Sequence, residues 1–410
     1  MPRRLLLPLL AALVAVTASC GRTSDPAAWT MTLQRVASPA GAVSSEPQIV
    51  ASDRGLVLSW IERVGKTNSL KFAERGASGW STPVTAASGD DWFLSYADVP
   101  SVMRLGSGTL VAQYLENIDP IRESYNLLLS YSTDHGKTWS KPFMPHDDGT
   151  ASQHGFASLV ELPGSTLGVV WLDGRNSEFL DNDPTSGTMT LRYAAYDAGW
   201  KQIADVEIDH KVCECCQTTA VMTPDGVLTA YRDRSDDEVR DIAVSRLEGG
   251  MWTAPTLVAR DNWQLDFCPV NGPTLSARGR DVVAAWFTVK NDLGQSFAAF
   301  SSDAGRTWGM PVRLDDAGSL GRVDVELLAD GSAIASWVEF AEGASSVRIR
   351  RIDRSGARSA PIEVAGVTGG RASGFPRMGL RGSELVVAWS DSSASEDGQL
   401  QVQTAIGQIP

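Results

Sequence analysis

Leu56-Val57-Leu58-Ser59-Trp60-Ile61-Glu62 decides the fold, because six later stretches repeat its pattern of an apolar run, an aromatic, one variable residue and usually an acid. The pattern returns at Leu110 to Tyr114 with Glu116, at Val169-Val170-Trp171-Leu172-Asp173, and at Leu228 to Tyr231 with Asp233. It continues at Val282 to Trp286, where Thr288 takes the acid's place, then at Trp337-Val338-Glu339 and Trp389-Ser390-Asp391. Successive aromatics are 54, 57, 60, 55, 51 and 52 residues apart. A period of that length with several strands per copy is the signature of propeller blades.

Each copy reads as four strands. An inner strand precedes the aromatic one, as at Pro47 to Ala51, Phe156 to Leu162 and Asp324 to Leu328. A third alternating strand follows, such as Leu127 to Tyr131 or Val347 to Arg350. The fourth opens near a Trp and carries a Pro (Trp80 to Pro83, Trp252 to Pro255), which suits an outer edge because Pro has no N–H to donate. The last copy lacks its fourth strand, while Trp29 to Ala37 looks like a fourth strand without a blade. Pairing it with Gln401 to Ile406 would close the ring and hide an exposed sheet edge. The expectation is an all-β, seven-bladed propeller over residues 29–410, with six blades as the alternative.

Two copies carry a sharper motif between the third and fourth strands: Ser132-Thr133-Asp134-His135-Gly136-Lys137-Thr138-Trp139 and Ser301-Ser302-Asp303-Ala304-Gly305-Arg306-Thr307-Trp308. The mechanics are those of a turn. Asp accepts backbone N–H groups, Gly takes a positive φ, and Trp packs between strands. Both resemble the Asp-box (BNR repeat) of sialidase-superfamily propellers, and degenerate copies end at Trp80, Trp200 and Gly356. The resemblance implies that Asp134, Gly136, Trp139, Asp303, Gly305 and Trp308 serve folding, on the face away from the active site. It also implies glycan chemistry of the exo-sialidase kind if the protein is an enzyme. The family's arginine motif, Phe/Tyr-Arg-Ile-Pro near the first blade, has no counterpart, and the nearest string is Phe375-Pro376-Arg377.

The formal charge of −13 argues against nucleic acid as a partner, since that binding is driven by phosphate neutralisation. Residues 1–19 read as a secretory signal, with Arg3 and Arg4 ahead of an apolar run too short to span a bilayer. Small residues before Cys20 resemble a lipoprotein box, with cleavage after Ala18 as the rival reading. The expectation is an exported, lipid-anchored cell-envelope protein (outer membrane or periplasm in a Gram-negative host), with residues 20–28 as linker.

Ligands of propellers usually bind on the face formed by the inter-blade loops and the loops after each second strand, and the unusual residues fall there. Arg175, Arg234 and Asn271 are the candidates for holding an anion, because a guanidinium fork matches a carboxylate or sulfate. Asp173 and Asp233 are the catalytic candidates, although they occupy the repeat's acid position and a structural role is the competing reading. Cys213, Cys215, Cys216 and Cys268 read either as two disulfides or, with His154 or His210, as a copper or zinc site. Three functions follow: a glycan or anionic-ligand protein, a metal or redox propeller, and a non-enzymatic scaffold for protein partners in the envelope.

Overall fold

The computed structural model describes residues 29–119, 124–177, 187–368, 370–392 and 398–410, so the segments expected to be leader and linker, with Cys20, lie outside the described residues. The chain forms seven antiparallel sheets. We number them as blades: blade 1 (44–89), blade 2 (101–132), blade 3 (154–212), blade 4 (219–257), blade 5 (274–313), blade 6 (319–367) and blade 7 (377–408 with 34–36). This is a seven-bladed β-propeller. Gln34–Val36 pairs with the last strand, Gln34 opposite Ile406 and Val36 opposite Thr404, so the N-terminal strand closes blade 7 as the sequence predicts.

Seven apolar clusters hold the ring, one between each pair of neighbouring blades. Alternation within the aromatic strand sorts side chains between two neighbours. Leu56, Leu58 and Trp60 pack against Val386 and Ala388 of blade 7, while Val57 and Ile61 pack against Val102, Leu110 and Ala112 of blade 2. Trp171, Trp286, Trp337 and Trp389 likewise turn toward the preceding blade.

The repeat's acid has a clear purpose, because residues two apart on a strand share a face. Trp60 Nε1 donates to Glu62 at 3.2 Å, and Lys71 Nζ approaches that carboxylate at 2.6 Å. Trp171, Asp173 and Arg175 repeat this arrangement in blade 3, and Trp337, Glu339 and Arg348 in blade 6. Blade 5 has Thr288 at the acid position, and Asp261 of the preceding loop supplies the carboxylate to Trp286 Nε1 at 2.7 Å, with Lys290 as the cation. Blade 4 uses Tyr in place of Trp, and Tyr231 Oη donates to Asp209 at 2.6 Å.

Outer edges are less regular than the pattern suggests. In blades 1 and 4 the fourth strand breaks into two short pieces around Pro83 and Pro255. In blade 2 it shrinks to one bridge between Leu129 and Phe143, flanked by Pro142 and Pro145. The missing N–H of each Pro interrupts the ladder.

The two eight-residue turns lie on the face opposite the inter-blade loops. Asp134 accepts Thr138 N at 2.9 Å and Thr138 Oγ1 at 2.7 Å, and Asp303 accepts Thr307 N and Oγ1 at 2.9 and 2.6 Å. Gly136 and Gly305 have φ of 84° and 79°. A Cβ on Gly305 would sit 2.8 Å from Leu228 of the preceding blade, so both conformation and contact require glycine. Trp139 and Trp308 pack into the clusters shared with those preceding blades.

Candidate functional site

The inner strands surround a central channel of about 540 Å³ lined by Asp98, Glu161, Asp324, Glu326, Arg278 and Arg377 among others. At its loop-face mouth, three inner strands carry a register break: Ser45/Gln48 in blade 1, Gly155/Ser158 in blade 3, and Gly321/Asp324 in blade 6. Each break holds a non-glycine residue in the left-handed region: Glu46 (58°), Phe156 (52°) and Arg322 (55°). β-Bulges re-aim side chains, and strained φ values of this kind concentrate at functional sites.

Arg322 is the most informative of the three. It is buried, yet it forms no ion pair among the described residues. Its Nη1 donates to Ser373 Oγ and its Nη2 to Gly370 O at 2.6 Å. The Arg322 and Arg371 guanidinium carbons each stand 5.9 Å from the Tyr96 ring centroid, and Tyr96 stacks on Phe375 at 6.4 Å. Arg377 lies 5.5 Å from the Phe375 ring, and its buried Nε has no hydrogen-bond partner. The nearby Asp324 is occupied by Met378 N and Thr274 Oγ1. Burial lowers the affinity of Arg322 and Arg377 for their protons. Three guanidinium groups thus gather around two aromatic rings at the mouth, and among the described residues no carboxylate is in hydrogen-bond contact with them.

Two carboxyls complete the mouth, Glu46 partly buried and Asp98 fully buried. Burial, with Asp98 as a second cause, pushes Glu46 up to about 8, and its Oε2 has no hydrogen-bond partner. Burial pushes Asp98 up to about 7 against the opposing bond from Phe156 N at 2.7 Å. A Cβ at Gly155 would collide with Asp98 Oδ2, so that position admits only glycine.

The arginines and acids predicted from sequence are placed differently. Asp173 is fully buried and accepts both Trp171 Nε1 and Arg175, and its carboxyl is held below the ordinary range. Arg175 is spent on Asp173 and on Asp148 at 3.4 Å, so it offers no free fork to a ligand. Arg234 pairs with Glu214 and Glu238 rather than with Asp233 or Asp236. Asp233 is only partly buried, and burial with the neighbouring Asp209 raises it to about 6. Asn271 does reach the mouth, but as a brace: its Oδ1 accepts Arg322 N at 2.8 Å and its backbone O accepts Arg232. Tyr96 and Arg371 were missed because they lie in inter-blade segments with no repeated pattern, and Arg322 because it stands on a bulge of blade 6's inner strand. The one local hint is Gly321 directly before Arg322 in an inner strand.

His154 and His210 are not brought to the cysteines. His210 has an 85% exposed side chain. His154 stacks on His146, ring centroids 3.7 Å apart and planes within 4°, and its Nε2 meets Asp148 Oδ2 at 3.0 Å. His146, Asp148 and His154 lie close enough to suggest a metal site, but in-plane lone pairs of parallel rings cannot converge on one ion. Burial, and next the His154 charge, hold His146 down to about 4. Cys215 and Cys268 form a disulfide joining the loops before blades 4 and 5, and Cys213 and Cys216 are buried thiols. Arg240 Nη1 lies 3.5 Å from Cys213 Sγ, a positive setting that disfavours a copper or zinc ion.

No protein-family model and no curated protein sequence matches this chain. Solved structures do share its fold. A protein of unknown function from Dyadobacter fermentans is similar at 15% identity, over 90% of this chain and 95% of that one, with a TM-score of 0.51. An α-L-arabinofuranosidase from Fusarium graminearum in complex with arabinobiose is 12% identical over 78% of this chain and 95% of that one, with a TM-score of 0.50. The endosialidase of phage phi92 is 10% identical over 93% of this chain and 69% of that one, with a TM-score of 0.50. These likenesses establish the class, a β-propeller of the architecture used by those proteins.

Proposed function

We propose that the protein binds an acidic glycan, a sugar bearing a carboxylate or sulfate, at the loop-face mouth of its channel. The observation that carries the reading is Arg322: a buried guanidinium, placed by a strained bulge, with hydroxyl and carbonyl acceptors but no anion of its own. A buried cation held by neutral acceptors is costly, and an anionic ligand would offset that cost. Arg371, exposed and 5.9 Å from the same ring, supplies the second half of a clamp. Tyr96, partly exposed and backed by the buried Phe375, offers the flat surface on which a sugar ring stacks. That two of the fold's relatives act on glycans fits this reading.

Binding of a panel of carboxylated, sulfated and neutral oligosaccharides tests it. Affinity confined to the acidic members and lost in Arg322→Met is expected, and equal affinity for neutral sugars would overturn the proposal. Hydrolysis is the second reading, favoured by Asp98. It lines the channel two residues from Tyr96 and holds its proton near neutrality, which suits a general acid. Turnover of an acidic glycoside by the native protein but not by Asp98→Asn would establish it, and binding without turnover would remove it.

A further inference from the structure

Four sulfurs crowd the loops before blades 4 and 5. Cys213 Sγ lies 3.0 Å from Cys216 Sγ. The Sγ atoms of Cys213, Cys215 and Cys216 all lie within 4.8 Å of one another, and Cys213 Sγ is also within 4.8 Å of Cys268 Sγ. A buried dithiol therefore stands within reach of both ends of a disulfide. Cys213 and Cys216 are 1% and 2% exposed, whereas Cys268 is exposed and follows Phe267, 64% exposed. We propose that the four cysteines form a dithiol–disulfide exchange site, with Cys213 as the attacking sulfur and Cys268 as the point where an external thiol or disulfide enters.

The surroundings fit that division of labour. Burial works against a Cys213 thiolate. The Glu214 charge adds to that opposition, but the Cys216 hydrogen bond and the Arg240 and Arg232 charges outweigh both and bring the thiol down to about 7. Cys216 is pushed the other way by burial and by its neighbour, so it keeps its proton. A thiol with a pKa near ambient pH, beside cationic groups, is the better nucleophile for such exchange.

The step balances within the protein. The Cys213 thiolate attacks Cys268 Sγ, forming the 213–268 bridge and expelling the Cys215 thiolate, which takes the Cys216 proton. Cys216 then attacks Cys213 Sγ, forming the 213–216 bridge and expelling the Cys268 thiolate. Two electrons have moved from the inner pair to the outer bridge. An external disulfide entering at Cys268 accepts them and re-forms the 215–268 bridge, and a dithiol that then reduces the 213–216 bridge restores the starting state. The exchange bears on the mouth through Gln217, next to Cys216. Its Nε2 donates to Ala97 O, beside Tyr96, and its Oε1 accepts Gly272 N, both at 2.8 Å.

Disulfide mapping of the full-length protein tests this without reference to any glycan. Protein poised in glutathione buffers to carry two free thiols is acid-quenched, alkylated and cleaved after Glu214, which separates Cys213 from Cys215 and Cys216. The expected result is a mixture of 213–216-bridged and 215–268-bridged molecules, and a Cys216→Ser variant that accumulates a bridge from Cys213 to Cys268. Two-thiol protein holding only the 215–268 bridge, with Cys213 and Cys216 alkylated throughout, would overturn the proposal. The wild-type map decides the matter even if the variant does not fold.

Discussion

Replacing Glu46 by Gln should stabilise the protein, and the gain should grow with pH. The carboxyl has an ordinary value of 4.5 and is raised to about 8 in the folded chain by burial and then by Asp98. Between those values the native state binds a proton that the unfolded state has released. This contribution is fully present below pH 4.5 and is lost as pH rises toward 8. Each pH unit in the window costs about 1.4 kcal/mol. Two units, from pH 5 to pH 7, therefore remove about 2.7 kcal/mol that Gln, having no proton to lose, keeps. His146 works in the opposite sense, its folded value of about 4 against an ordinary 6.5 favouring the native state as pH rises through that interval. The difference between the two proteins is therefore the quantity to measure. Urea unfolding of wild type and Glu46→Gln at pH 5 and pH 7 should show the variant's advantage increasing by about 2–3 kcal/mol. Parallel stability profiles, with the advantage unchanged within about 0.5 kcal/mol, would refute a protonated, buried Glu46.

Other perturbations separate structure from site. Glu339→Ala strands the Trp337 indole and Arg348, and chemical unfolding should show a loss of about 1–3 kcal/mol. Gly305→Ala forces a Cβ onto Leu228 at a φ of 79°, so thermal unfolding should fall by several degrees, with glycan affinity at 25 °C unchanged. Arg175→Met removes a partner of Asp173 and Asp148 and should lower stability while leaving acidic-glycan affinity at the wild-type value in calorimetric titration.

The ring and its closure were legible because they are written as periodic alternation. Leu56 to Glu62 shows which side chains face each neighbouring blade, and Trp29 to Ala37 shows an edge in need of a partner. The two turns were legible because the bonds that shape them run from Asp134 and Asp303 to residues four positions on. The site was not. In sequence Arg175 and Arg234 read either as anion ligands or as salt-bridge partners of Asp173, Asp233 or Asp236. The fold decides for Asp173 in the first case, and for the second it supplies Glu214 of the preceding loop, which the sequence does not point to. Tyr96, in the loop before blade 2, meets Arg322 on the inner strand of blade 6. Arg322 is aimed by a bulge that leaves no periodic trace, and its lack of a counter-ion is a property of three dimensions. Thr288 marks the boundary case. The broken acid rule is visible in sequence, but its repair by Asp261 is not.

The central claim is that the channel mouth is an anion clamp centred on Arg322. Calorimetric titration of wild type, Arg322→Met and Arg371→Met with a sialylated or uronate-bearing oligosaccharide tests it most directly. Affinity should fall at least tenfold in each variant, equivalent to about 1.4 kcal/mol or more, and wild-type binding should weaken at high salt. Wild-type affinity retained in both variants, or binding indifferent to the ligand's charge, would contradict it.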